Sequence, residues 1–284
     1  MSIIGVGLLG GSVGLAVRSV GIPCHVVGYG HRKSTLEKAL ASGAIDEAAS
    51  SPADAVSGAD LVILCTPVGL FRRNLTDIAP ALMKRAIVTD VGSTKRAVVR
   101  AASEILPKHA RFVGSHPMAG SEKRGVEFAR ADLFQGAPCI LTPTDATDRD
   151  ALASVDAFWR ELGMRTTTLS PDEHDRLICD VSHLPHALAA ALVTMQDDAA
   201  LPLAGKGFLD ATRIAGGDGN LWRDIFLDNR DNLADALRRF RGTLDDFLTL
   251  LDPAHAEPLA RWLDHAAARR AALLAEKLKE MNPD

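Results

Sequence analysis

Gly5-Val6-Gly7-Leu8-Leu9-Gly10 is the segment of this chain that most restricts its fold. It follows the short apolar run Ile3-Ile4 and leads into a small-residue amphipathic stretch from Ser12 to Val20. That order is strand, tight turn, helix. In such a unit Gly5 permits the turn, Gly7 lets a pyrophosphate approach the backbone, and Gly10 lets the helix sit close on the strand. The first turn of the helix, with Leu8 and Leu9, then offers unpaired N–H groups and the positive dipole end to a phosphate. The segment predicts a dinucleotide-binding βα unit. It says nothing about the chemistry done there.

The residues up to about 168 continue this rhythm. Apolar runs at 24–28, 61–66, 86–91, 111–114, 139–142 and 165–169 read as strands, and the stretches 34–42, 94–106 and 149–162 read as helices. Thr66 and Pro67 close the buried run 61–66, at the end of a parallel strand where ligands gather, and join the cofactor-binding set. Then the pattern changes. Ser170-Pro171-Asp172-Glu173 combines a Ser cap, an early Pro and a Glu at the third helical position. Helices are expected at 171–195 (bent by Pro185), 221–250 and 254–281, with the Gly-rich stretch 205–219 interrupting them. The spacing of Leu233, Leu237, Phe240, Leu244, Phe247 and Leu251 makes a core-facing stripe, packed within one chain or across a two-fold axis. The expected fold is α/β, with a Rossmann-like doubly wound sheet over 1–168 followed by an all-helical domain over 169–284.

Composition narrows the classes. Across 284 residues, 32 Lys and Arg face 36 Asp and Glu, and the basic residues are dispersed, which argues against a nucleic-acid groove. No apolar stretch approaches the length of a membrane span without charge, and no basic segment precedes the first apolar run, so neither span nor secretion signal is expected. Cys24, Cys65, Cys139 and Cys179 are isolated, mainly among apolar residues, and read as reduced core residues of a cytoplasmic protein.

Four polar clusters are hard to explain as scaffold. The first is Asp90-Val91-Gly92-Ser93-Thr94-Lys95, where a strand ends; Ser93 is either a helix cap or a site residue. The second runs from Gly114 through His116-Pro117 to Ser121, Glu122 and Lys123. The proline holds His116 extended at a strand end, facing a ligand or serving the scaffold. The third is His174 with His183 and His186, the last two sharing a helix face. They read as hydrogen-bonded imidazoles near the domain junction; no HExxH or thiolate pair supports a metal. The fourth, from Gly205 and Lys206 to Arg223, places Gly beside Asp, Arg and Trp. Arg213 there suits a carboxylate, or else pairs with Asp210.

Taken together, GVGLLGGS, DVGSTK, SHPMAGSEKRGVE, SPDEHD, SHLPHA and GFLDATRIAGGDGNLWRDIF resemble the prephenate/arogenate dehydrogenases of tyrosine biosynthesis over nearly the whole chain. The resemblance implies an NAD(P)-dependent oxidative decarboxylation, an active site in the cleft between a dinucleotide domain and a helical domain, and a homodimer formed by the latter. It implies His116 as the catalytic histidine and Ser93 as the serine that hydrogen-bonds the substrate hydroxyl and that histidine. His186, with His183 on the same face, falls in the substrate pocket, and Arg213 grips a substrate carboxylate. Ser121 and Glu122 match a mobile segment at the site mouth. Lys206 departs from a stretch that is often all glycine in relatives, and a neighbouring subunit can contribute it. No metal is implied, and nothing implies a nucleic-acid or membrane partner. The chain ends soon after its helical domain, so no appended regulatory or mutase module is expected.

Two choices follow. An NAD-specific unit carries Asp or Glu at the end of its second strand. Here Gly30 takes that place, followed by His31, Arg32, Lys33, Ser34 and Thr35, a group able to receive a 2′-phosphate. NADP is therefore expected over NAD, with dual use or a simple solvated turn as alternatives. Prephenate and arogenate differ in a keto group against an ammonium, and Lys206 within reach of the pocket disfavours the ammonium. The remaining alternatives are an arogenate-specific enzyme, another 2-hydroxyacid or imine oxidoreductase on the same fold, and a non-enzymatic dinucleotide sensor.

Overall fold

The structure, a computed structural model, describes residues 1–120 and 123–281. Packing divides the chain into one compact unit, Met1–Asn232, and a second from Leu233 onward.

The first unit is built on eight strands: β1 (Ser2–Ile4), β2 (Val27–Tyr29), β3 (Glu47–Ala48), β4 (Leu61–Leu64), β5 (Ile87–Asp90), β6 (Arg111–Pro117), β7 (Pro138–Thr142) and β8 (Arg165–Thr168). They form one sheet in the order β3-β2-β1-β4-β5-β6-β7-β8. All neighbours are parallel except β6 and β7, where His116 stands opposite Ile140. The order reverses between β1 and β4, so a crevice opens beyond their carboxyl ends, the usual ligand position in such sheets. Among the described residues, the faces are covered by α1 (Leu8–Ser19), α2 (Lys33–Ala41), α3 (Pro52–Val56), α4 (Phe71–Ile78), α5 (Arg96–Ile105) and α6 (Arg149–Glu161). Alternation along the strands feeds two cores. Ile3, Ile63, Ile87 and Val113 pack on one face with Val13, Phe134 and Trp159, while Ile4, Val62, Leu64 and Val88 pack on the other with Leu75 and Val98.

Beyond β8 the chain is helical: α7 (Pro171–Ile178), α8 (Leu184–Thr194), α9 (Lys206–Thr212), α10 (Gly219–Asp228), α11 (Arg230–Thr249) and α12 (Ala256–Met281). Ser170 and Glu173 complete a reciprocal capping box at the head of α7. By length and composition alone, Pro171–Thr194 could cross a membrane. Its buried polar residues His174, Asp175, His183 and His186 instead sit inside the protein.

Several expectations need correction. The second strand lies at Val27–Tyr29 rather than 24–28, and Cys24 is exposed. The helix expected at 171–195 is interrupted by a π turn over Cys179–His183. Pro185 cannot donate to the carbonyl four residues back and its ring crowds it, so the turn ahead widens instead of kinking. The helix expected at 221–250 breaks at Asn229, whose buried side chain is held by tertiary hydrogen bonds. The Gly-rich stretch carries α9 and a 3₁₀ turn over Arg213–Gly216, because its glycines lie at the ends of these pieces rather than within them. Of the stripe from Leu233 to Leu251, the single chain buries Leu233 and leaves Leu237, Leu244 and Leu251 exposed, which disfavours packing within one chain and leaves the two-fold alternative open. In the second unit Phe247 and Trp262 pack with ring centroids 5.1 Å apart.

Candidate active site

The Gly-rich turn behaves as its three glycines require. Gly5 takes a φ of +104°, which a side chain would strain, and a Cβ there would also lie 2.7 Å from the Thr66 methyl. A Cβ on Gly10 would strike the Gly5 carbonyl oxygen. Gly7 is different: a Cβ there would meet nothing within 4 Å. Open space above Gly7, with no side chain capping α1, is the surface a pyrophosphate needs. Thr66 accepts a 2.6 Å hydrogen bond from Asn74, and Pro67 is exposed beside it. At the end of β2, Gly30 is half-buried and His31, Arg32 and Ser34 are exposed, with Thr35 partly covered. The pyrophosphate of a dinucleotide fits this cradle.

Two and three strands from β1, the ends of β5 and β6 hold a denser polar network. Asp90 and Lys95 form a fully buried ion pair. The Asp90 carboxylate also accepts the Gly92 N–H at 2.8 Å and the Ser115 N–H at 3.1 Å, which ties the loop after β5 to β6. Helix α5 starts at Arg96 without a side-chain cap, so Ser93 is not its cap. Ser93 is half-buried and hydrogen-bonds no other described residue.

The helices after β8 close over these strand ends. His116 Nδ1 lies 2.8 Å from His174 Nε2 on α7, and His174 Nδ1 lies 2.8 Å from Asp175 Oδ1. The Asp175 carboxylate accepts the backbone N–H groups of Lys95 at 2.7 Å and Arg96 at 3.0 Å. Arg96 reaches on to Asp231 at 2.8 Å and to Asn229 at 3.2 Å. Asn229 donates to the Asp175 carbonyl at 2.7 Å and sits 3.1 Å from His183 Nδ1. Thr94 donates to Asp228. These bonds fasten α7, α10 and the π turn to the carboxyl ends of β5 and β6.

Charge in this cluster follows burial. Burial pushes His116 well below the ordinary histidine range, and the neighbouring His174, Lys95 and His183 push the same way. His183, also by burial, falls to about 4. Burial alone would raise Asp175, but hydrogen bonds from His174 and from the backbone of Arg96 and Lys95 hold it below the usual carboxylate range. The result is a neutral imidazole beside an ionised carboxylate, the state a general base requires.

Residues 13–168 match the family described as prephenate dehydrogenase, nucleotide-binding domain, and residues 170–265 match its dimerization domain. The chain belongs to the prephenate dehydrogenase family. The prephenate dehydrogenase of Bacillus subtilis is 37% identical, over 95% of this chain and 74% of that protein. The cyclohexadienyl dehydrogenase of Zymomonas mobilis is 34% identical, over 98% of this chain and 96% of its own length. The structure of the A. aeolicus prephenate dehydrogenase with hydroxyphenyl propionate and NAD+ superposes with a TM-score of 0.90 at 37% identity, covering 95% of this chain and 96% of that one. As a member of the family, the chain is a dehydrogenase that uses a nicotinamide dinucleotide.

In this prephenate dehydrogenase family member the expected site residues are placed unevenly. His116 and His183 are brought together with His174, and His186 lies near His183 on the same helix. His186 stacks on Trp222 with centroids 3.5 Å apart, and a Cβ on Gly217 would crowd both rings. That contact explains one glycine of the fourth cluster. Arg213 is exposed, and no ion pair with Asp210 is present among the described residues. Lys206 is exposed at the head of α9. The structure does not draw Arg213 or Lys206 into the buried cluster. Ser121 and Glu122 lie outside the described residues. Sequence reasoning missed Asp175, Asn229 and Trp222 as site-forming residues. The adjacent His174-Asp175 pair after a capping box was the available signal for the first; Asn229 left none.

Proposed function

We propose that the chain carries out the oxidative decarboxylation of prephenate to 4-hydroxyphenylpyruvate and CO2, with His116 as the general base. The observation that carries this reading is the buried His116, whose Nδ1 is committed to His174 while its Nε2 hydrogen-bonds no described residue. When bound, the nicotinamide takes up the hydride from the hydroxyl-bearing ring carbon of the substrate. His116 Nε2 receives the proton of that hydroxyl as the carbonyl develops. Ser93, open at the end of β5, orients the hydroxyl toward His116. Carbon dioxide leaves from the opposite ring carbon, and aromatisation drives the step. His186 on its Trp222 support and His183 line the substrate pocket, and Ser121 and Glu122 are assigned to substrate binding. Arg213 binds a substrate carboxylate by a paired charge-assisted contact. Lys206 disfavours an ammonium at the substrate side chain. No metal is assigned a part.

Gly5, Gly7, Leu8, Leu9 and Gly10 hold the pyrophosphate, with Thr66 and Pro67 beside it, while Gly30, His31, Arg32, Ser34 and Thr35 receive the adenosine end. The absence of a carboxylate at the end of β2 and the exposed Arg32 support NADP over NAD. We place the boundary between the dinucleotide and helical domains at 168/169 and the enzyme in the cytoplasm as a homodimer. Arogenate is the second reading, favoured by the similarity to a cyclohexadienyl dehydrogenase. The test is a spectrophotometric assay of prephenate and arogenate, each with NAD and NADP. The highest kcat/KM is expected for prephenate with NADP. Higher values with arogenate would overturn the substrate choice, strong NAD preference the phosphate site, and no reduction in all four mixtures the whole reading.

A further inference from the structure

Beneath the proposed base lies a chain of three acceptors and donors. Asp175 sits one residue beyond His174, within hydrogen-bond reach of its Nδ1 at 2.8 Å, and His174 Nε2 in turn lies 2.8 Å from His116 Nδ1. All three side chains are buried, His174 and Asp175 completely. No described group other than this chain reaches His116 Nδ1.

We propose that His174, oriented by Asp175, is the positioning residue that sets the reactive tautomer of His116. Counting protons along the chain fixes this tautomer. An ionised Asp175 only accepts, so His174 Nδ1 must carry the proton in that contact. His174 Nε2 then holds a lone pair and can only accept, so His116 Nδ1 must carry the proton in the next. The proton of His116 is thereby confined to Nδ1, and the lone pair is left on Nε2, on the other side of the ring. That is the nitrogen the reaction needs. As Nε2 takes the substrate proton, the positive charge growing on His116 faces a neutral imidazole and then a carboxylate, which lowers the cost of building it.

The surrounding charges fit the same arrangement. Asp175 stays ionised because the backbone N–H groups of Lys95 and Arg96, and the Arg96 guanidinium at 3.3 Å, converge on it. Lys95 would otherwise oppose a positive charge on His116, and it is paired with Asp90 within the same buried layer. His183 contributes no proton to the chain, since its Nδ1 lies against the Asn229 amide.

This inference rests on His116 being the base, and the test separates the two. In the 15N spectrum of histidine-labelled wild-type enzyme, with His116 assigned by the signal lost in His116→Asn, Nδ1 is expected protonated and Nε2 bare. Wild-type His116 protonated on Nε2 would overturn the proposal without any folding question. His174→Leu is expected to release the ring to its Nε2-protonated form and to lower kcat by about 10²-fold, the lower end of what a correctly positioned general base contributes. The KM values for substrate and cofactor should stay within about twofold, since only a transition-state interaction is removed. His174→Gln, which can return an acceptor oxygen, should recover part of the loss. A full loss in His116→Asn with unchanged kcat and tautomer in His174→Leu would overturn the relay alone. An unchanged kcat in His116→Asn would overturn the base reading itself.

Discussion

His116 is kept neutral by its burial, and that fixes the sign of the pH dependence. A base whose pKa lies well below 6.5 stays unprotonated as the pH falls through 6.5. The kcat/KM for substrate should therefore hold level from about pH 8 past pH 6.5 and fall only in more acidic buffer, where the imidazole gains its proton. A half-loss at or above pH 6.5 would contradict the assignment. The glycines of the first turn allow a sharper contrast. Gly10→Ala forces a Cβ onto the Gly5 carbonyl and should cost about 1–3 kcal/mol of stability, read as a lower Tm. Gly7→Ala places its methyl in open space, so the Tm of the free protein should not change while dinucleotide binding weakens. Equal effects of the two substitutions would deny Gly7 its place against the pyrophosphate.

At the level of elements, strand and helix succession was legible because local pattern and tertiary environment agree there. Strand β4 is a continuous apolar run and β5 opens on the buried pair Ile87-Val88, and α7 carries its start signal in four consecutive residues. The reading failed where a distant partner decides the local geometry. Asn229 breaks what periodicity makes one long helix, because its side chain serves Asp175, His183 and Arg96 at once. His174 was visible as a histidine near other histidines, but its contact with His116 depends on α7 folding back over β6. Arg213 was legible as a residue type suited to a carboxylate, whereas its exposure in the single chain was not. Asn229→Ala should cost about 2–4 kcal/mol in urea unfolding, since it leaves a buried carbonyl and His183 Nδ1 without their donor. A loss below half a kilocalorie would show that the break between α10 and α11 is not held by this side chain.

On the scale of the whole molecule, the second unit leaves apolar surface that one chain does not cover. Leu244, Leu248 and Leu251 are exposed, as are Leu273, Leu274 and Leu278 on α12. Covering a leucine contributes about 1.5–3 kcal/mol, so this many exposed leucines favour burial in an interface. The family match over residues 170–265 to a dimerization domain supports a second copy as the partner. Sedimentation should give twice the chain mass for the wild type, and Leu244→Glu with Leu248→Glu should shift it toward the monomer. A dimer unaffected by both charges would place the interface elsewhere. The central claim is narrower: His116 removes the hydroxyl proton while prephenate is oxidised. Its most direct measurement is the steady-state rate of dinucleotide reduction with prephenate for the wild type and His116→Asn at equal folded concentration. A fall in kcat of about 10²–10⁴-fold with cofactor affinity retained is the expected result; an undiminished kcat would contradict it.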